Sequence, residues 1–208
     1  LACGRSWSEA LARGIWELVE RDAVTRWWGC WCADRGVDIW RHAAPDGAWL
    51  WSIPALSGRC YIALVGKRGK GAWGAAAGPR SPQRALQEAF HNARVFRAHP
   101  PQRRRPVVTF ADHSAWGWSE ACPRWKRLEQ LELRPLPDTP SESWQSLARR
   151  SPFYTARLAS FYARQAGLKT LRMLNPDLLL LPIHEAAWPL AHPAWGELPA
   201  PQWPHPFS

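Results

Sequence analysis

Apolar residues recur at helical spacing from Trp7 to about Trp28, where Leu11, Ile15, Leu18 and Val19 gather on one face and no proline intervenes. Ser6-Trp-Ser-Glu9 precedes this stretch as a capping box: Ser6 can accept from the third helical amide while Glu9 reaches back to the cap. After the turn residues Pro45-Asp46-Gly47 the pattern shortens to strands. Ala48–Ile53, Cys60–Val65 and Ala72–Ala77 are the candidates, the last two paired across Lys67-Arg-Gly-Lys70. Ser81 then reads as a cap with Pro82 at the first helical position. That helix runs to about Arg97, with Leu86, Ala89, Phe90 and Ala93 as its buried stripe. Pro106–Phe110 reads as a strand, and a third helix is expected from about Pro152 to Gln165, ending before Gly167. Leu168–Leu174 follows as a strand and Leu178–Leu181 as a short buried run. The pattern gives an α+β class, a mixed α/β domain with short, largely antiparallel strands and three main helices. The domain is expected over residues 1–181, with a proline-rich tail over 182–208.

Composition narrows the reading. The 208 residues suffice for a real core, since a chain of that size buries roughly 70% of its unfolded surface. No apolar run is long enough to span a membrane. The chain opens at Leu1 inside a structured region, without initiator Met or signal core, which leads us to expect a piece of a longer protein. The net charge of +10, from 27 Lys+Arg against 17 Asp+Glu, suits a polyanionic partner or a solvated basic surface. The 16 Trp read mainly as packing. The five cysteines, Cys3, Cys30, Cys32, Cys60 and Cys122, have no zinc-type spacing and read as reduced structural thiols of a cytoplasmic protein.

Candidate chemistry begins on the first helix. At about 100° per residue, Glu9, Arg13, Glu17 and Glu20 fall within an arc of about 80°, opposite the apolar face. Glu17 and Glu20 are three apart and can converge on one point. Mg²⁺ favours one or two carboxylates completed by water and substrate phosphates, and Arg21 lies beside the stripe, able to fork onto a phosphate. A solvated helix face stabilised by Arg13 and Arg21 is the alternative on spacing alone.

The segment Glu9-Ala-Leu, five residues, then Glu17-Leu-Val-Glu20-Arg21-Asp22 resembles the second acidic motif of the YcaO family, E-A-L-x(5)-E-x-x-E-R-D, followed as there by an aromatic stretch at Trp27-Trp28. Gly78 through Ala85-Leu86-Gln-Glu88-Ala89 resembles a later family segment in which a Gly-rich strand precedes A-L-x-E-A. Ala166 through Pro176 resembles the strand before its late proline motif, and Pro204-His-Pro206-Phe its proline-rich terminus. Members bind ATP with Mg²⁺ and activate a peptide amide oxygen by phosphorylation; in cyclodehydratases a Cys, Ser or Thr side chain then closes an azoline. The resemblance implies Glu17 and Glu20 as metal residues, Glu9 and Arg21 as nucleotide-binding residues, and Glu88, His91, Pro204 and Pro206 near the chemistry. It implies the C-terminal part of such an enzyme, with a precursor peptide as substrate, a leader-binding partner protein and a possible homodimer. Three departures stand out: the family's earlier S-x-x-E-x-x-E-R motif is absent from these residues, His91 stands where Gln is usual, and Ser208 replaces a terminal Pro. A degenerate, non-catalytic relative that binds peptide or a partner is the second reading. A basic nucleic-acid-binding module, resting on charge alone, is the third.

Overall fold

The computed structural model describes residues 1–33, 35–67, 70–100, 125–137, 142–158, 161–179, 191–192 and 196–197. A long helix, α1 (Trp7–Cys32), forms its centre. On one side α1 packs on β3 (Ala48–Ala55), β4 (Gly58–Lys67) and β5 (Lys70–Ala76), and on the other on β1 (Ala2–Gly4) and β7 (Lys169–Leu174). With β2 (Trp40–His42) the first set makes an antiparallel sheet of order β2-β3-β4-β5. With β6 (Tyr154–Leu158) the second makes an antiparallel sheet of order β1-β7-β6. The second long helix, α2 (Ser81–Ala98), covers the far face of the larger sheet at β4 and β5. The layers are therefore small sheet, α1, large sheet, α2.

Alternation along the strands explains this order. Trp51, Ile53, Cys60, Ile62, Leu64, Trp73 and Ala75 form one buried cluster with α1. The intervening Leu50, Tyr61, Ala63, Val65, Ala72 and Ala76 form another with Ala85, Ala89 and Ala93 of α2. The small residues of α2 let it sit close: a Cβ on Gly74 would lie 2.4 Å from the Ala85 carbonyl and 2.6 Å from the Ala89 nitrogen. Helix α1 is buried on more than its expected stripe, with Asp22, Thr25, Trp27 and Trp28 all buried, because it lies between two sheets; the stripe from Glu9 to Glu20 stays only partly buried. Ring contacts from Trp27 to Trp73 and from Trp73 to Trp51 tie it to the large sheet.

The expected strands that fall within the described residues, and the first two helices, are present within a few residues. Ser6 accepts the Glu9 amide as expected, but Glu9 reaches the amide of Arg5, one residue before the cap. The cap of α2 is Arg80, at φ 56°, without a side-chain cap bond, and Ser81 is already helical. The third helix needs correction. Residues 154–158 are strand β6, and among the described residues of this segment only Phe161–Gln165 (α5) is helical. All five β6 residues are exposed, so a helix there would bury no apolar stripe, whereas pairing with β7 satisfies the backbone. Two short helices not expected from the sequence, α3 (Trp125–Glu129) and α4 (Trp144–Arg150), lie in the stretch that reads as mixed. The Trp51 indole N–H donates to the Leu128 carbonyl of α3 at 3.1 Å. The Pro106–Phe110 strand, Cys122, the tail prolines Pro204 and Pro206, and residues 180–181 lie outside the described residues. Within the tail, Ala191–His192 (β8) and Gly196–Glu197 (β9) pair antiparallel. No helix among the described residues is long and apolar enough to cross a membrane. Cys3, Cys30, Cys32 and Cys60 are free thiols.

Candidate functional site

β5 is the edge of the large sheet, and α1 and α2 approach that edge from its two faces. Two side chains one helical turn apart on α2 close the edge: Glu88 Oε2 accepts the Ala75 amide at 3.1 Å, and Asn92 Nδ2 donates to the Trp73 carbonyl at 2.9 Å. From α1 the half-buried Glu20 arrives at the same place. Burial and then the Glu88 charge push the Glu20 carboxyl up to about 8, against the opposing pull of Arg21 and Arg84. Burial also raises the Glu88 carboxyl, which the Ala75 amide and the same two arginines partly offset. Glu17 adds repulsion to both. Two carboxylates from different helices thus share a poorly solvated spot, with arginines close but insufficient to ionise both.

The buried Cys60 thiol below them is pushed well above its usual range, by burial first and by the Glu20 charge second. It stays protonated and is no nucleophile. Asp22, fully buried two positions after Glu20 on α1, pairs with Arg26 and accepts the Leu179 amide at 3.0 Å. That bond holds the chain after the Asn175-Pro176 turn, in which Asn175 accepts the Asp177 amide at 2.9 Å, against the middle of α1.

The structure brings Glu17, Glu20, Arg21 and Glu88 of the expected set into one electrostatic neighbourhood. Arg21 lies 3.9 Å from Glu17 in an open ion pair. Glu9 is occupied at the helix start, accepting from the Arg5 amide at 2.7 Å and pairing with Arg13 at 2.6 Å. His91 is exposed on α2 and makes no hydrogen bond to Glu88 among the described residues. Sequence reasoning missed Arg84, Asn92 and Asp22. Arg84 and Asn92 stand four residues either side of Glu88, a spacing that places all three along one side of α2. Asp22 carries no such signal, because its partner is 157 residues away.

No protein-family model and no curated protein sequence matches the chain. Among solved structures it is similar to the heterocyclase TruD, with a TM-score of 0.51 and 13% sequence identity. The likeness covers 88% of this chain and 29% of that one, so the chain spans less than a third of TruD's length. At that identity the likeness speaks for the fold alone: this chain shares the mixed α/β fold of the matched part of TruD.

Proposed function

We propose that the chain is a portion of a YcaO-type, ATP-dependent enzyme that modifies peptide backbones, and specifically of a cyclodehydratase that turns Cys, Ser or Thr of a precursor peptide into azolines. The observation that carries this is the pair Glu20 and Glu88, two carboxyls held above their ordinary range beside Arg21 and Arg84 at the edge of β5. Such a pair stores unfavourable electrostatics that a hard cation relieves, and perturbed acids of this kind cluster at functional sites.

The donor set fits Mg²⁺ accompanied by a nucleotide. Among the described residues no group of three or more His, Cys, Asp or Glu could enclose a metal ion. Mg²⁺ bound with phosphates asks for less, one or two carboxylates completed by phosphate oxygens and water. Glu20 and Glu88 would hold the ion, with Glu17 beside them, and Arg21 and Arg84 would face phosphate oxygens. The bound Mg²⁺–ATP would supply charge neutralisation and the phosphoryl group that activates a peptide amide oxygen. On this reading Glu9 acts indirectly, by fixing the start of α1. The peptide would come from a leader-binding partner protein, and two copies of the chain would pair as a homodimer.

Calorimetric titration with ATP, with and without Mg²⁺, tests the reading. Mg²⁺-dependent binding that is lost in Glu17→Gln/Glu20→Gln is expected. Binding that ignores Mg²⁺, or that survives in the double variant, would sink it. A relative that binds peptide without nucleotide would then be the better account.

A further inference from the structure

We infer that the edge of β6 is a docking strand for an extended peptide in which acidic and apolar residues alternate. Among the described residues β6 pairs only with β7 and ends the small sheet. Its five residues are all exposed, and none of the described residues pairs with its outer edge. An edge with free backbone groups is a template for an added strand.

The two faces of the sheet at this edge differ in chemistry. Register places Tyr154, Ala156 and Leu158 on the same face as Leu174, Arg172 and Thr170. Tyr154, Leu158 and Leu174 are all exposed there, a mainly apolar row that the exposed Arg172 interrupts. Arg157 and Lys169 lie on the other face, toward α1. Both approach the Trp7 ring, at 4.5 and 5.9 Å from its centroid. With Arg164 of α5 they line a 300 Å³ pocket at the end of β6, which Leu158 and Thr170 border from the other face. None of these three cations has a carboxylate partner among the described residues. A strand added to β6 alternates its side chains between these two faces. One set would meet the apolar row and the other the cationic pocket.

Charge complementarity selects the occupant. Three cations without a carboxylate partner among the described residues favour acidic side chains. They oppose a second copy of this chain, whose own β6 edge would bring the same charges. A nucleotide or other phosphate would use the pocket alone and leave the apolar row and strand edge unused. The surface lies on the opposite side of α1 from Glu20, so it stands or falls apart from the nucleotide reading.

The test is fluorescence anisotropy of labelled Ac-Glu-Val-Glu-Val-Glu-Val-amide against the full chain, without nucleotide. Saturable binding is expected, with at least a tenfold loss in Arg157→Ala/Lys169→Ala and in the Lys-Val counterpart peptide. Binding should also vanish when alternate amides of the peptide are N-methylated, in whichever register removes its donors to β6. That control leaves the protein unaltered, and thermal melts confirm that the double variant is folded. Failure of the acidic peptide to bind would overturn the inference. Equal binding by the double variant or by both N-methylated registers would do the same. Full competition by millimolar inorganic phosphate at constant ionic strength would reduce the site to a simple anion pocket. Concentration-dependent dimerisation through β6, seen by sedimentation and blocked by the peptide, would replace the peptide with a second copy.

Discussion

The carboxylate of Glu88 accepts the Ala75 amide at 3.1 Å and so closes the open edge of the large sheet from the helix beside it. After burial, the same carboxylate is the largest influence that raises the Glu20 carboxyl. One side chain therefore both finishes a sheet edge and sets the charge state of the candidate site.

Removing it should separate the two roles. Glu88→Ala leaves the Ala75 amide without its acceptor and is expected to cost about 1–3 kcal/mol. Glu88→Gln keeps an acceptor oxygen and should cost less, while lowering the Glu20 pKa by removing the neighbouring charge. Denaturant midpoints read the first effect, and carboxyl titration by NMR the second.

Glu20 should make stability fall as pH rises. Its folded pKa of about 8 lies above the ordinary 4.5, so between those values the folded chain keeps a proton that the unfolded chain has lost. Stability is then fully present below about pH 4.5 and declines through pH 8. Glu20→Gln should remove this decline and stabilise the chain by about 2 kcal/mol at pH 8.5, a value discounted for the side chain's partial exposure. Thermal melts of both forms from pH 5 to 9 would show it; parallel curves would refute the buried-proton assignment.

Gly74 is a packing requirement of α2. The Cβ of Gly74→Ala would meet backbone atoms of Ala85 and Ala89 at 2.4 and 2.6 Å, which cannot rotate away. The helix must shift, at about 1–3 kcal/mol, and the Glu88 and Asn92 bonds to β5 should lengthen with it. Hydrogen exchange at the Ala75 amide is the direct readout, with faster exchange expected.

Asp22 joins the first helix to the end of the small sheet. Asp22→Ala leaves Arg26 and the Leu179 amide without their shared acceptor and should destabilise by about 3–5 kcal/mol, the scale for a broken buried pair. Asp22→Asn keeps an acceptor for one of them and should recover part of the loss in the same unfolding measurement.

Local signals made much of this chain legible. The Ser6 cap, the apolar spacing of α1 and the alternation in β3, β4 and β5 each depend on residues close in sequence, and each is present. The segment 152–165 was not legible, because Tyr154–Leu158 is exposed on both faces and becomes a strand only by pairing with β7. Its alternation of Tyr154, Ala156 and Leu158 with Thr155 and Arg157 is only five residues long and buries neither face. His91 illustrates the same limit at the site: position in a motif placed it near the chemistry, whereas the fold turns it to solvent.

The sequence by itself determined the acidic stripe on α1, the helix that carries Glu88 and the mixed α/β class, since helical periodicity and capping are written within a few residues. Only the tertiary structure decided which carboxyls face one another. Glu20 and Glu88 are 68 positions apart and meet because two helices on opposite faces of one sheet both reach its edge strand. Their raised proton affinity follows from the water excluded there, a property of the packed sheet edge that neither helix has alone.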